Sequence, residues 1–201
     1  MRPTRILLIR HGEVASDWAG RVYGAFDVPL SERGHQQTRR IVGALRSVDL
    51  CAVVSSGLQR TEAMAATLCE SRALERHRDP ELREVERGSW VGKHPGKMEA
   101  SEAEAFLRWS HDSKQRAPGG GESLEDLAAR VQPRLVHWAH VYAGETLAVV
   151  THAWVIRVTL CQVLGASLDR ASRIEVQTGE VILLKLTDSS HRSLEGLASV
   201  I

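Results

Sequence analysis

The sequence has few of the features that mark secreted, membrane or nucleic-acid-binding proteins. Its 201 residues include only 3 cysteines, and 26 Lys and Arg residues nearly balance 25 Asp and Glu residues, for a formal net charge of +1. This balance gives no overall electrostatic footprint for nucleic acid or an anionic membrane. No apolar run is long enough to cross a bilayer, and no internal repeat is visible. Any anion site must therefore be a local cluster of basic side chains.

The cysteines and the first residues indicate a reducing compartment. Cys51, Cys69 and Cys161 are odd in number, unevenly spaced and surrounded by apolar residues, which suits reduced core thiols better than a disulfide framework. The apolar segment 6–9 is shorter than the core of a secretory signal and has no small-residue cleavage site after it. We therefore expect a cytoplasmic protein.

Three short apolar runs, at 5–10, 50–55 and 145–151, are rich in β-branched residues, and each is followed by a polar turn and a helical pattern. Such runs are typical of parallel strands buried on both faces. Helical spacing continues over 122–142 and 154–164, and two later strands are predicted at 173–177 and 181–186. The order predicts an α/β fold with three αβα layers around a mostly parallel central sheet, in a single domain over 1–201.

One segment departs from this alternation. Residues 88–121 are rich in Gly, Pro, Lys and His around one predicted helix at 101–109, and Trp90, Phe106 and Trp109 are interleaved with the basic residues. Its length is typical of a functional lid or substrate wall. Residues 189–201 are expected to form a loosely attached tail.

Charged side chains follow the predicted strands. Arg10 and His11 end the first strand, His152 ends the third, and Arg60 follows the Ser-Ser-Gly turn after the second. Ligands of open parallel sheets bind beyond the carboxyl ends of the strands. We therefore expect two histidines and two arginines at one edge of the sheet.

These residue types suit phosphoryl chemistry. A neutral imidazole is a nucleophile, guanidinium groups bind phosphoryl oxygens, and nearby cations help to keep His11 neutral. Gly12 permits a close backbone approach, and the Ala153 N–H at a helix start is a candidate anion donor. Glu84 is the best-placed candidate acid for a leaving group.

Six sequence blocks occur in a characteristic order: RHGE at 10–13, PLSERG at 29–34, SSGLQR at 55–60, LRE at 82–84, PGGGES at 118–123 and THAWVIR at 151–157. Together they resemble the histidine phosphatase superfamily, also called phosphoglycerate mutase-like, over roughly residues 5–186. The last two blocks favour its phosphatase branch, which includes α-ribazole phosphatases and broad-specificity phosphatases.

The resemblance implies metal-independent hydrolysis of a phosphomonoester without a cofactor. His11 would form a phosphohistidine, and Glu84 would protonate the departing oxygen and then activate water. Stabilisation of the transferring oxygens would come from Arg10, Arg60 and His152. The resemblance also implies a pocket that includes Glu13, Arg21 and Tyr23.

Two positions depart from the family pattern. Asp17 stands where many members have an Asn that reaches the phosphate, so its carboxylate must turn away, be protonated or meet an amine or hydroxyl of the substrate. Ala153-Trp154 stands where Gly-Gly is common, and Trp154 either lines the pocket or fills the core.

Several alternatives stay open. A bisphosphate-dependent phosphoglycerate mutase shares the chemistry, but the short segment between Glu84 and His152 favours hydrolysis. A weakly active or non-catalytic phospho-ligand binder is suggested only by Asp17. Zinc binding by the two site histidines is disfavoured by the neighbouring arginines. The expected partner is a small phosphorylated metabolite, such as α-ribazole phosphate, a sugar phosphate or phosphoserine, with no nucleic acid or membrane partner and a possible homodimer.

Overall fold

The computed structural model describes residues 2–188 and 191–193 and has a six-stranded sheet. The strands are β1 (Thr4–Arg10), β2 (Ala52–Ser55), β3 (Glu75–Arg78), β4 (Thr146–Thr151), β5 (Val181–Asp188) and β6 (His191–Ser193). The helices are α1 (Glu32–Ala44), α2 (Gln59–Glu70), α3 (Ala100–Trp109), α4 (Leu124–Val141) and α5 (Ala153–Val163). Short 3-10 helices span Ser16–Trp18, Leu45–Ser47, Pro80–Leu82, Gly88–Trp90, Pro95–Lys97 and Leu168–Arg173.

The strand order is β3-β2-β4-β1-β5-β6. β1, β2, β3 and β4 run parallel, whereas β5 is antiparallel to β1, and β6 is antiparallel to β5. In the register between β1 and β4, Arg10 is opposite Thr151. The residue after each of these strands, His11 and His152, therefore leaves the sheet at the same edge.

β1, β2 and β4 are buried on both faces, as their apolar runs predict. On one face, Ile6, Leu8 and Val149 belong to a core that includes buried residues of α4 and α5. On the other face, Leu7 and Ile9 pack with buried residues of α1 and α2. The αβα layering and the mostly parallel sheet predicted from the sequence are therefore confirmed.

Helix α4 shows how local sequence sets an element boundary. Ser123 caps its N-terminus and forms a capping box with Asp126: the Ser123 Oγ accepts from the Asp126 N–H, and the Asp126 carboxylate accepts from the Ser123 N–H. Pro133 lies inside the helix on its exposed side. The predicted helices 122–142, 154–164 and 101–109 are each found within two residues of their expected ends.

One strand prediction was wrong, and strand β3 was missed. Residues 173–177 do not form a strand: Arg173 ends a 3-10 helix, and the Val176 carbonyl accepts a hydrogen bond from the Arg10 side chain. β3 was not predicted, because its sequence Glu-Arg-His-Arg has no apolar run and it pairs at the exposed edge of the sheet. Most of the predicted tail at 189–201 lies outside the described residues, and 191–193 form β6.

The 88–121 segment packs its aromatic side chains inward. Trp90 and Trp109 are 1 % and 0 % exposed and belong to the same core as α4 and α5. Backbone hydrogen bonds between Val22 and residues 92 and 93 join the segment to the loop after β1. The expected aromatic wall is therefore largely an extension of the core.

All three cysteines are free, with Cys161 buried and Cys51 and Cys69 half-buried. In the described part of the chain, no helix is both long and apolar enough to span a membrane.

Candidate active site

Two buried histidines lie side by side at the carboxyl edge of the sheet. His11 follows β1, and its backbone N–H donates to the Thr151 carbonyl at 3.1 Å. His152 follows β4 and immediately precedes α5. Their ring centroids are 5.1 Å apart with the planes at 62°, and their exposed fractions are 1 % and 0 %. The pairing of β1 with β4 thus brings the two histidine rings together.

The His11 ring is held as a neutral imidazole with one free nitrogen. Its Nδ1 lies 2.6 Å from the Gly12 carbonyl oxygen, which can only accept, so Nδ1 carries the hydrogen. Burial lowers the pKa of His11 well below its ordinary value, and the charges of Arg60 and Arg10 lower it further. The Nε2 lone pair is therefore available at neutral pH.

Arg60 reaches the site from the first turn of α2. It is fully buried, its two terminal nitrogens donate to the carbonyls of Phe26 at 2.9 Å and Gly24 at 2.7 Å, and its guanidinium lies 5.2 Å from the centre of the Tyr23 ring. Burial lowers the pKa of Arg60. Neither Glu13 nor Glu84 forms an ion pair with Arg60 among the described residues.

The two arginines beside the histidines each have an unused donor. The Nη1 of Arg10 donates to the Val176 carbonyl at 2.6 Å. The Nε atoms of Arg10 and Arg60 are buried and have no hydrogen-bond partner among the described residues. Buried donors without acceptors are costly, and a bound anion would supply the acceptors.

A chain of hydroxyl groups fixes the tautomer of His152. Thr61 Oγ1 donates to the Leu58 carbonyl at 2.8 Å, so it accepts from Ser56 Oγ at 3.0 Å. Ser56 Oγ must then accept from His152 Nε2 at 2.8 Å. The Nδ1 of His152 is consequently unprotonated in the neutral ring, and it is buried without a partner among the described residues. Burial, Arg60 and His11 lower the pKa of His152 well below its ordinary value.

Glu84 lies at the N-terminus of α5, next to the histidine pair. It is 6 % exposed, and its two carboxylate oxygens accept from the backbone N–H groups of Val85 at 3.0 Å and Trp154 at 3.3 Å. The structure thus brings Glu84 together with the four side chains at the strand ends.

A half-buried ion pair holds the segment that carries Glu84. Arg130 of α4 donates to both carboxylate oxygens of Glu122, at 2.7 and 2.9 Å. The same guanidinium donates to the backbone carbonyls of Glu81, Arg83 and Glu84 at 2.6, 2.9 and 3.0 Å. The PGGGES block thus supplies the partner of Arg130 and the cap of α4. Sequence reasoning missed Arg130 because its contacts are with a distant loop.

Glycine is needed at position 12 for a different reason from the one expected. A Cβ on Gly12 would lie 2.5 Å from the Gly34 carbonyl oxygen, so the close approach is to the start of α1. Ala153 is the first residue of α5 and is 8 % exposed, and no described non-glycine residue has a positive φ. Alanine is therefore accommodated without strain, and the half-buried Trp154 packs edge-on against Trp109 at 4.8 Å.

The remaining predicted pocket residues make contacts in the loop after β1, in the 88–121 segment and at the start of α1. Asp17 is exposed, and its backbone carbonyl accepts from Arg21 Nε at 3.0 Å. Arg21 also donates to the Gly92 carbonyl at 2.8 Å and borders a cavity of about 350 Å³ in the 88–121 segment. The Glu13 carboxylate instead accepts from the Ser31 hydroxyl at 2.8 Å, at the start of α1.

No group of three or more His, Cys, Asp or Glu side chains that could hold a metal ion occurs in residues 2–188 and 191–193. His137 and His140 are both exposed on α4.

The fold and this cluster define an α/β protein with a buried, cationic histidine site at the carboxyl edge of its sheet. Residues 6–196 match the histidine phosphatase superfamily (branch 1), and the chain belongs to this family. It is 30% identical over 199 residues to phosphoserine phosphatase 1 of Hydrogenobacter thermophilus, covering 93% of each chain.

Other relatives agree with this assignment. The chain is 29% identical over 161 residues to the adenosylcobalamin/alpha-ribazole phosphatase of Salmonella typhimurium, covering 80% of this chain and 79% of that protein. The solved structure of YhfR from Bacillus stearothermophilus superposes with a TM-score of 0.89 at 26% identity and covers 98% of both chains. The protein is thus an enzyme of the phosphatase class.

Proposed function

We propose that the protein hydrolyses a small phosphorylated metabolite through a phosphohistidine on His11, without a metal ion. The observation that carries this proposal is the state of the His11 ring. Its Nδ1 hydrogen is committed to the Gly12 carbonyl, its Nε2 lone pair is free, and two guanidinium groups with unused donors lie beside it. This arrangement provides a nucleophile and an anion site together.

In the first step, His11 Nε2 attacks the phosphorus atom. The N–P bond forms as the P–O bond to the leaving group breaks, and protonated Glu84 gives its proton to the departing oxygen. Arg10, Arg60 and His152 hold the non-bridging oxygens, where negative charge is concentrated. A phosphoryl dianion next to His152 favours its imidazolium form, whose Nδ1–H then donates to an oxygen.

In the second step, water attacks the phosphohistidine. The carboxylate of Glu84 takes a proton from the water, the N–P bond breaks, and inorganic phosphate leaves with neutral His11 restored. Glu84 therefore returns to its protonated form, and all bonds and protons balance. The same backbone N–H groups that hold Glu84 keep its carboxylate near the reacting atoms in both steps.

Relatives and local geometry support a small substrate. The relatives' names refer to phosphoserine and α-ribazole phosphate, and these compounds or a sugar phosphate are the candidates we propose. We also propose that the 88–121 segment belongs to the same single domain and forms one wall of the substrate site. The cavity beside Arg21 in this segment is lined by basic and acidic side chains, among them Lys93, His94, Glu99 and Glu102, which suits the polar part of a small substrate.

Steady-state hydrolysis of para-nitrophenyl phosphate, with and without EDTA, tests the proposed activity. We expect release of inorganic phosphate with the same kcat in both conditions, because no described step uses a metal. Activity that is lost in EDTA and restored by zinc would contradict the proposal. Transfer between phosphoglycerates that requires a bisphosphate primer, with little hydrolysis, would instead indicate a mutase.

Arg130 is expected to act as a positioning residue for Glu84. Arg130→Met removes three donors to the Glu84 segment and leaves Glu122 unpaired, so it should lower the free energy of unfolding by about 3 kcal/mol. It should also lower kcat for glycerol 3-phosphate about tenfold more than kcat for para-nitrophenyl phosphate, since a nitrophenolate leaves without a proton. Steady-state kinetics and thermal unfolding measure both effects.

Arg134→Met is the matched control for Arg130→Met. Arg134 lies one turn further along α4 and pairs with the buried carboxylate of Asp79 at 2.7 Å, without contacting Glu84. Arg134→Met should lower the unfolding temperature while leaving the ratio of kcat for glycerol 3-phosphate to kcat for para-nitrophenyl phosphate unchanged. Equal ratios in both variants would show that Arg130 has a purely structural role.

A further inference from the structure

Arg87 is a buried cation surrounded by aromatic rings. It is 6 % exposed, and its guanidinium carbon lies 3.8 Å from the centre of the Trp109 ring, 5.3 Å from that of Trp154 and 5.5 Å from that of Phe106. Stacking on aromatic faces stabilises a guanidinium but satisfies none of its N–H donors.

No acceptor for Arg87 occurs among the described residues. Its Nη1 is buried without a hydrogen-bond partner, and no described carboxylate lies within ion-pair distance of it. Burial lowers the pKa of Arg87 to about 10, and the charge of Glu84 acts in the opposite direction. A charged group in this position has lost its water without gaining a paired anion, which is costly.

Arg87 lies close to the proposed acid. The Trp154 N–H donates to the Glu84 carboxylate, and the Trp154 ring contacts the guanidinium groups of both Arg87 and Arg157. Arg157 is half-buried and donates from Nε to the Ile174 carbonyl at 2.8 Å. Because Glu84 protonates the leaving group in the proposed mechanism, both arginines are on the side of the site where that group lies.

The charges on this side do not balance. Arg10 and Arg60 are next to His11, and in the proposed mechanism their positive charges pair with the phosphoryl group. Arg87 and Arg157 carry two positive charges, and Glu84 is the acidic group whose charge acts on both. Glu84 is protonated in the substrate complex of the proposed mechanism, and the charge of Glu175 also acts on Arg157. The positive charge of Arg87 is then left without a counter-charge, which matches a monoanion rather than a second phosphate.

We propose that Arg87, assisted by Arg157, binds a carboxylate on the leaving group of the substrate, so that the enzyme prefers phosphomonoesters that carry a carboxylate. This inference rests on the proposed function, because it needs Glu84 on the leaving-group side. The planar guanidinium presents two parallel N–H donors, the geometry that a carboxylate accepts. The contacts of the guanidinium with the rings of Trp109 and Trp154 hold that fork in place.

A matched pair of substrates tests the proposal. 3-Phosphoglycerate and glycerol 3-phosphate have the same three-carbon skeleton and phosphoester position, and differ in a carboxylate against a hydroxymethyl group. We expect the wild type to favour 3-phosphoglycerate in kcat/KM by at least about 20-fold, the size of one charge-assisted contact. Arg87→Met should lower kcat/KM for 3-phosphoglycerate by about 20-fold or more and that for glycerol 3-phosphate by less than about threefold.

Two further variants guard against a loss of folding. Arg157→Met, at a half-buried position, should lower kcat/KM for 3-phosphoglycerate by about fivefold with the same selectivity. Arg108→Met is the matched control, because Arg108 is exposed on α3 and pairs only with Glu104 there. Arg108→Met should leave the ratio of kcat/KM between the two substrates unchanged. Thermal unfolding of each variant shows that the measured chains are folded.

The outcomes separate this inference from the proposed function. Equal losses for both substrates in Arg87→Met and Arg157→Met would show that the arginines only pack against the aromatic rings of the core, and would overturn the inference. A wild type that hydrolyses para-nitrophenyl phosphate without preferring 3-phosphoglycerate would overturn it as well, while the proposed function stands. A wild type that hydrolyses no phosphomonoester would overturn the proposed function, and this inference with it.

Discussion

Replacing His11 with alanine is expected to lower kcat for para-nitrophenyl phosphate by at least about 10⁴-fold, because no other group can form the phosphoenzyme. KM should change little, since Arg10, Arg60 and His152 still bind the phosphoryl group. Removal of the buried imidazole takes away the hydrogen-bond partner of the Gly12 carbonyl. Steady-state kinetics at saturating substrate measures the effect.

His35→Ala is the matched control for this variant. His35 is exposed on α1. The His35→Ala variant should retain wild-type kcat. If His11→Ala kept more than about one per cent of wild-type kcat, a direct attack by water would account for the reaction and the phosphohistidine route would be wrong.

Glu84→Gln is expected to have the second largest effect and to separate the two steps. For glycerol 3-phosphate, kcat should fall by about 10³-fold, because an alkoxide leaves poorly without a proton. For para-nitrophenyl phosphate, the first step should proceed, and breakdown of the phosphoenzyme should become slow for lack of a base. We therefore expect a burst of about one nitrophenol per enzyme followed by slow turnover.

Glu86→Gln is the control for Glu84→Gln. Glu86 is two residues away, and its carboxylate lies 3.5 Å from Arg83 at the surface. It should show no burst and near wild-type kcat with both substrates. Equal losses for the two substrates in Glu84→Gln, without a burst, would assign Glu84 a structural role at the start of α5.

The position of the site could be predicted from the sequence because it depends on strand ends. His11 and His152 each follow a short apolar run, and such runs are recognisable as buried parallel strands. Once the two strands are parallel, their carboxyl ends lie at one edge, and the adjacent register of β1 and β4 brings the rings together. Arg60 follows the same logic through β2 and the start of α2.

Other features could not be predicted because they arise from contacts between distant segments. The pair of Arg130 with Glu122 holds a loop more than forty positions away from Arg130, as its bond to the Glu84 carbonyl shows. Burial of Arg87 against Trp109 contradicts the usual exposure of arginine. The absent strand at 173–177 has the apolar pattern of a strand, but its Val176 carbonyl is used by Arg10.

Trapping the phosphoenzyme tests the central claim most directly. The wild type is mixed in EDTA with a phosphomonoester that carries a labelled phosphoryl group, and the reaction is quenched in alkali, where a phosphohistidine N–P bond survives. The account predicts label on the peptide that contains His11, lost on acidification, and no label in His11→Ala. Label that is absent from the wild type during turnover, or that persists in His11→Ala, would contradict it.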